Sequence, residues 1–338
     1  MLKKIILIVA VLALAVFALI GGELGYQYYY DHRKPNFEQR AVVYVYPDMS
    51  PARIVDSIAT KAGVRNRESL VRAFLHGSAP QPGRYVVEPS MSSYAVMRKI
   101  AAGWEDETSL TIAPIFRTVE DLAGRLGPQL MIGEEAVLSA LKDPAFLERY
   151  GMDGKSVLTF IVPDTYRLRW SVDVDGLFKR LLSEYHAYWD GAREELALRQ
   201  GLSPRQAAIL ASIVNEETKS QPEMAKVAGV YLNRLHRGML LQADPTVAYC
   251  YGFTLTRVLN KHLSVDSPYN TYKYAGLPPG PISCAPKACI EAVLHPEGDY
   301  LYFCASPAFD GTHRFARTLS EHNANAEAYR RALSRRGN

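Results

Sequence analysis

The sequence predicts an α+β protein with a single N-terminal transmembrane helix, a small region of short strands and helices, and a larger, mostly helical domain with long loops. Three observations predict it. An uncharged run from Ile5 to Gly22 follows Lys3 and Lys4. A strand–turn–helix pattern then occurs three times before residue 128. Beyond it, apolar residues at helical spacing dominate, broken by stretches rich in Pro and Gly. The 338 residues suit about two folded domains. A hydrophobic content of 48% with 22% charged residues excludes a disordered or fibrous chain. The net charge of +4 is scattered and gives no ground for nucleic-acid binding.

The run Ile5–Gly22, extended by Leu24 and Tyr26, approaches the ~20 residues that cross a hydrocarbon core. Tyr26, Tyr28, Tyr29 and Tyr30 follow as an interfacial aromatic belt. Lys3 and Lys4 hold residues 1–4 in the cytoplasm, with 5–25 as the anchor and the bulk of the chain outside. The competing reading is a cleaved signal peptide, because Ala13-Leu14-Ala15 resembles a cleavage tripeptide. Against it, the apolar run continues through Val16, Phe17, Leu19 and Ile20. Outside the cytoplasm, Cys250, Cys284, Cys289 and Cys304 could form disulfides or remain buried thiols. They show no metal-ligand spacing, so no metal site is expected.

Residues 26–40 read as a polar tether, and residues 41–127 as a small α+β module. Its first copy runs from the strand-like Val42–Tyr46 through Pro47 to Ser50, a helix cap before Pro51. Ile54, Val55, Ile58 and Ala62 then keep helical spacing to Gly63. The second copy is Tyr85–Val87, Pro89, Ser92 and a helix to Gly103. The third is Leu110–Ile112, Pro114, Thr118 and a helix to Gly127. Units this small cannot bury a core singly and should pack together. The architecture resembles LysM-like modules of envelope proteins. That resemblance implies glycan binding, with a ligand-free spacer as the alternative.

The domain over 128–335 reads as helical to about residue 200, with the apolar run Leu158–Val162 as a strand entering the Pro163-Asp164-Thr165 turn. Ser203-Pro204 then starts a helix. At about 100° per residue, Ala207, Leu210, Ile213 and Val214 form an apolar stripe, and Glu217 falls at its middle. Glu216 falls on its edge and Asn215 on the opposite side. A carboxylate centred on a buried stripe is desolvated, and the C-terminal end of the helix dipole disfavours its charge further. Both raise its pKa, as a general acid near neutral pH requires. The alternatives are a helix that frays earlier or an ion pair with an Arg such as Arg234. Ser220 and Glu223 read as a capping box for the next helix. Constrained loops follow at Gly238–Thr246, Ser267–Tyr272 and Gly276–Ile282, of the kind that often wall binding sites.

Several of these segments resemble one family in order and spacing. They are Ile209–Thr218, Val227–Leu235, Gly238–Val247, Tyr269–Tyr272, Gly276–Ile282, then His313, Phe315 and Ser320–Asn323. Together they resemble the YceG-like family, the endolytic murein transglycosylases, over nearly the whole chain. The resemblance implies a YceG-like catalytic domain at 128–335 behind the LysM-like region and anchor. It carries the catalytic Glu onto Glu217. Where the family has another Glu this chain has Asn215, and where it tends to have Glu-Gly this chain has Thr159 and Phe160. Beside Glu217, the substrate-binding candidates are Gln242, Asp244, Thr246, Tyr269, Asn270 and Thr271.

The implied reaction is lytic cleavage of the β-1,4 bond between N-acetylmuramic acid and N-acetylglucosamine in nascent peptidoglycan, with formation of a 1,6-anhydro ring and an end to strand elongation. No metal or cofactor is implied. The implied partners are glycan strands, the cytoplasmic membrane and peptidoglycan synthases, and the implied place is the extracytoplasmic (periplasmic) face of the cell membrane. The rivals are a hydrolytic muramidase, which needs a second carboxylate from among Glu216, Asp244 and Asp164, and a non-catalytic glycan-binding scaffold.

Overall fold

A computed structural model describes residues 2–113 and 116–336. Pro114, of the third repeat, and the Lys3 side chain lie outside the described parts. By contacts the chain divides into two units, Met1–Leu110 with Arg167–Val172, and Thr111–Tyr166 with Asp173–Asn338.

The first unit begins with α1 (Leu2–His32), which is long and apolar enough to cross a membrane. Then come β1 (Ala41–Val45), α2 (Pro51–Ala62), α3 (Arg67–Leu75), β2 (Gly83–Val87) and α4 (Ser93–Ala101). β1 and β2 pair antiparallel with Val43 opposite Tyr85. Alternation along β1 sends Val43 and Val45 inward against Ile54, Ile58, Leu70 and Ile100. Ser50 and Ser92 cap α2 and α4 as expected, each accepting from a backbone N–H of the first turn.

The expected tether is not a free linker. α1 continues through the tyrosine belt to His32, and Asp31 is clamped by Arg72 of α3 at 3.1 and 2.8 Å. Asn36 and Phe37 are buried in the module. Their backbone has partners there too, since Asn36 N donates to Met91 O at 2.9 Å.

The third repeat forms β3 (Thr108–Thr111) and α5 (Val119–Leu126), the latter closed by a Thr118–Asp121 capping box. Its strand does not join β1 and β2 but pairs with β4 (Thr165–Leu168). α5 belongs to the second unit.

The second unit continues with α6 (Gly133–Lys142), α7 (Pro144–Glu148), α8 (Val174–Tyr188), α9 (Gly191–Arg199), α10 (Pro204–Glu217) and α11 (Gln221–His236). It ends with α12 (Asp244–Cys250), α13 (Lys287–Leu294), the hairpin β5 (Tyr302–Ala305) and β6 (His313–Ala316), and α14 (Leu319–Arg336). The apolar run at 158–162 is not a strand. It forms a 3-10 turn over Val157–Phe160, and β4 starts only after Pro163 and Asp164. Pro163 has no N–H to give a ladder, which moves the strand to its C-terminal side.

α10 is the centre of this unit's core. Ser203 caps it, Gln206 completes a capping box and Pro204 occupies its first turn. All residues from Ala207 to Asn215 are buried. Small side chains at Ala207, Ala208 and Ala211 let neighbouring helices close around it. Gly229 of α11 has a related role, because a Cβ there would stand 2.4 Å from the Glu297 carbonyl oxygen. The four cysteines are free thiols, Cys284 and Cys289 buried and Cys250 and Cys304 half-buried.

Candidate active site

Glu217 is the last residue of α10. Its carboxylate accepts a hydrogen bond from the Tyr231 hydroxyl of α11 at 3.1 Å. It lines a small polar cavity of about 170 Å³ with Tyr231, Arg234, Gln242, Asp244 and Tyr272. It also lines a wider cleft of about 610 Å³ bounded by Lys219, Ser306, Phe309, Thr312 and His313. The carboxyl therefore stands where the two spaces meet.

Burial pushes the Glu217 carboxyl up to about 7 from its ordinary 4.5. The Tyr231 hydrogen bond opposes that rise, the negative charge of Asp244 adds to it, and Arg234 opposes it. Desolvation is the largest of these, so the group holds its proton near neutrality. The same burial drives the Tyr231 hydroxyl far above its usual range, so it remains a neutral donor.

The alternative, an ion pair with Arg234, does not form. The guanidinium donates instead to Leu301 O at 2.7 Å and Leu241 O at 2.8 Å, and reaches Gln242 Oε1 at 3.4 Å. Arg234 thus fixes the loop that carries Gln242 and lends positive potential without quenching the acid. Gln242 itself has a left-handed backbone, φ +51. That conformation costs a non-glycine residue about 1–3 kcal/mol, and such strain clusters at functional sites.

Of the residues read from sequence, Gln242 and Asp244 join Glu217 in the cavity. Asp244 accepts from the Tyr272 hydroxyl at 2.6 Å. Thr246, Asn270 and Thr271 do not line it. They are buried, with their hydrogen bonds made internally. Thr271 Oγ1 meets Thr246 Oγ1 at 2.8 Å and accepts from Ala243 N at 3.0 Å. Asn270 Nδ2 donates to Leu263 O and Val265 O. These three side chains shape the loops behind Gln242 and Asp244. Tyr269 lies outside the cavity and packs its ring 4.6 Å from Tyr249.

The neighbours of Glu217 on α10 are occupied otherwise. Glu216 is only 5% exposed and pairs with Arg117 at 2.7 Å. Asn215, expected on the polar side, is buried at 2% exposure and donates to Ser283 Oγ at 3.3 Å. The Gly276–Ile282 loop docks on the same helix, with Ile282 N donating to Ser212 Oγ at 3.0 Å.

Sequence reading also missed a pair. Glu223 does not close a capping box on Ser220, whose side chain caps nothing. Its carboxylate instead accepts from His313 N at 2.8 Å and holds His313 Nδ1 at 2.9 Å. His313 thereby presents an oriented ring at the wide cleft. Tyr231 and Tyr272 were equally hidden, the first inside an apolar helical pattern and the second at the end of a loop motif.

The chain is similar to several known proteins. An endolytic murein transglycosylase of Bacillus subtilis is 29% identical over 302 aligned positions, covering 84% of this chain and 83% of that protein. An endolytic murein transglycosylase of Streptococcus pneumoniae is 25% identical over 353 positions, covering 90% of this chain. The chain spans 62% of that protein's length. The crystal structure of a YceG-like protein from Listeria monocytogenes superposes with a TM-score of 0.54 at 27% identity, over 85% of this chain and 98% of that one. The profile of the YceG-like family matches residues 43–328. With most of its length inside that match, the chain belongs to the YceG-like family.

Proposed function

We propose that the protein is a membrane-anchored endolytic lytic transglycosylase that cleaves the β-1,4 bond between N-acetylmuramic acid and N-acetylglucosamine within peptidoglycan strands, with Glu217 as its catalytic residue. The observation that carries this reading is a single carboxyl, raised to about 7 by burial, at the junction of a polar cavity and a wide cleft. The related murein transglycosylases support the reaction class.

In this reading protonated Glu217 gives its proton to the glycosidic oxygen as the C1–O bond breaks, and the leaving sugar keeps it as a hydroxyl. The carboxylate so formed takes the proton of the muramic C6 hydroxyl while that oxygen closes on C1. One group acts first as acid and then as base, and no water is consumed. Tyr231 steadies the transient carboxylate through its hydrogen bond. Gln242 and Asp244 contact the sugar.

A second reading, hydrolysis, draws on one observation. Glu216 is engaged by Arg117 and Asp164 by Lys287, but Asp244 shares the cavity with Glu217. A retaining or inverting hydrolase needs such a second carboxylate. Mass spectrometry of products from purified peptidoglycan in oxygen-labelled water separates the two. Anhydro ends, lighter by one water and free of label, are expected. Labelled reducing ends would establish the muramidase, and no turnover at all would leave a binding scaffold.

The proposal makes α1 a single-pass anchor, with the bulk of the chain on the extracytoplasmic face of the cell membrane. There the enzyme meets strands as synthases make them and ends their elongation. The βα repeats of the first unit serve as a LysM-like glycan-binding module. A mature chain that starts near residue 16 and is released by salt would overturn the anchor.

A further inference from the structure

α1 runs without a break from Leu2 to His32. A hydrocarbon core of ~30 Å takes about 20 residues at 1.5 Å each. Counted from Ile5, the core ends near Tyr26, and the turn from Tyr28 to His32 rises through the headgroup layer. His32 stacks on Tyr28 at 4.3 Å and on Tyr94 of α4 at 4.1 Å. The Asp31–Arg72 clamp and buried Asn36 lock the module to this end of the helix. α4 is therefore held at headgroup height and cannot swing away.

At that height lies a cavity of about 410 Å³ lined by His32, Tyr94, Arg98, Lys99 and Trp104. Trp104 is 56% exposed, with the Arg98 guanidinium 5.1 Å from its ring centre. A large amphipathic ring left open to water is unfavourable, but it is well placed at a bilayer interface. Lys99 is already engaged, by Asp106 at 2.7 Å and Val86 O at 3.0 Å. Among the described residues, Arg98 has no carboxylate partner and meets the Trp104 ring instead. The cavity is thus apolar and aromatic on its walls, with a net cationic rim. We propose that it seats the phosphate headgroup of an anionic phospholipid in the leaflet from which α1 emerges. A guanidinium fork suits a phosphate, and an anionic headgroup leaves no second positive charge to accommodate. The proposal rests on α1 being a membrane anchor.

The test uses the full chain reconstituted into phosphatidylcholine vesicles with and without phosphatidylglycerol. Emission quenched by a headgroup spin-labelled lipid is the readout. The headgroup-quenched fraction should vanish in Trp104→Phe, because Trp170 and Trp189 are buried. It should grow when phosphatidylglycerol is present, and Arg98→Gln should weaken that dependence about fivefold. Both substitutions are on the surface, so the circular dichroism and the thermal unfolding in detergent should match the wild type. Protein that floats with the vesicles but quenches equally in both compositions overturns the headgroup site alone. So does an Arg98→Gln variant that keeps the full lipid dependence. Protein that does not float with the vesicles overturns the anchor, and the headgroup site with it.

Discussion

In the N-terminal unit, Asn36 is buried with Nδ2 donating to Ser93 Oγ at 2.7 Å and to Asn66 O at 2.8 Å, while Ser69 and Ser93 share a bond of 2.8 Å. In the C-terminal unit, the half-buried Glu217 carboxyl and the buried Arg234 guanidinium do not pair with each other. The first cluster is neutral and each member has its partner. The second keeps two ionisable groups apart and lets Tyr231 and backbone carbonyls hold them. A satisfied neutral network makes a core rigid and specific. Ionisable groups left partly unmatched in a cleft acquire perturbed pKa values, which is what proton transfer needs. On the proposed function the chemistry belongs to the second cluster, and the contrast predicts different damage when each cluster is cut.

The largest effect should come from Glu217→Gln, which removes the proton and keeps the shape. Turnover of purified murein should fall by about 10³-fold or more while the fold remains. The same variant should show a stability difference of the opposite sense. A folded pKa of about 7 against an ordinary 4.5 means that the native state holds a proton the unfolded chain releases. That contribution is fully present below pH 4.5 and is lost as pH rises through 7. Above that pH the wild type should lie about 3 kcal/mol below Glu217→Gln, measured by denaturant titration across pH. A flat difference would show that the carboxyl is not perturbed. For activity, the rate should fall as pH rises past about 7, because the acid form is consumed.

Cutting the neutral cluster should do the reverse. Asn36→Ala should cost about 1–3 kcal/mol of stability and leave activity per folded molecule unchanged. Loss of activity without loss of stability would erase the distinction between the units. A smaller effect is expected for Tyr231→Phe. Its hydrogen bond lowers the Glu217 pKa, so removing it should move the alkaline limb of the pH–rate profile upward and slow turnover about tenfold. Smallest of all should be Asp244→Asn. Loss of its charge should shift the same limb downward, because Asp244 raises the Glu217 pKa. Anhydro products should persist, and a variant that changes the product would instead make Asp244 a partner in the chemistry.

The unusual setting of Glu217 was legible because one carboxylate on an apolar stripe is a local signal. Its surroundings were less legible. A helical wheel reads one face of one helix, whereas α10 is enclosed on all sides, so Asn215 falls opposite the apolar stripe and still meets Ser283 in the core. Polar residues on constrained loops read as ligand walls, yet Thr246 in the first turn of α12 and Thr271 bond to each other. Glu223 carried a local capping pattern that a distant histidine outcompeted. α3 was not anticipated, because nine residues with Leu70, Ala73 and Phe74 inward give too short a pattern. In each case the missing information was a partner far along the chain.

The four free thiols carry a consequence for biosynthesis. Burial drives the Cys284 thiol far above its usual range and the Cys289 thiol to about 11. Disulfide exchange proceeds through thiolate, so both are inert once the core has closed. On the proposed extracytoplasmic side, the nascent chain is exposed to oxidant before that happens. Folding is then a race in which packing of α13 protects Cys289 before it can mispair. Refolding with oxidant present from the start should trap intramolecular disulfides visible on non-reducing gels, whereas oxidant added after folding should leave Cys284 and Cys289 reduced. On that account Cys284 and Cys289 stay reduced through order of events, with tight packing as the seal.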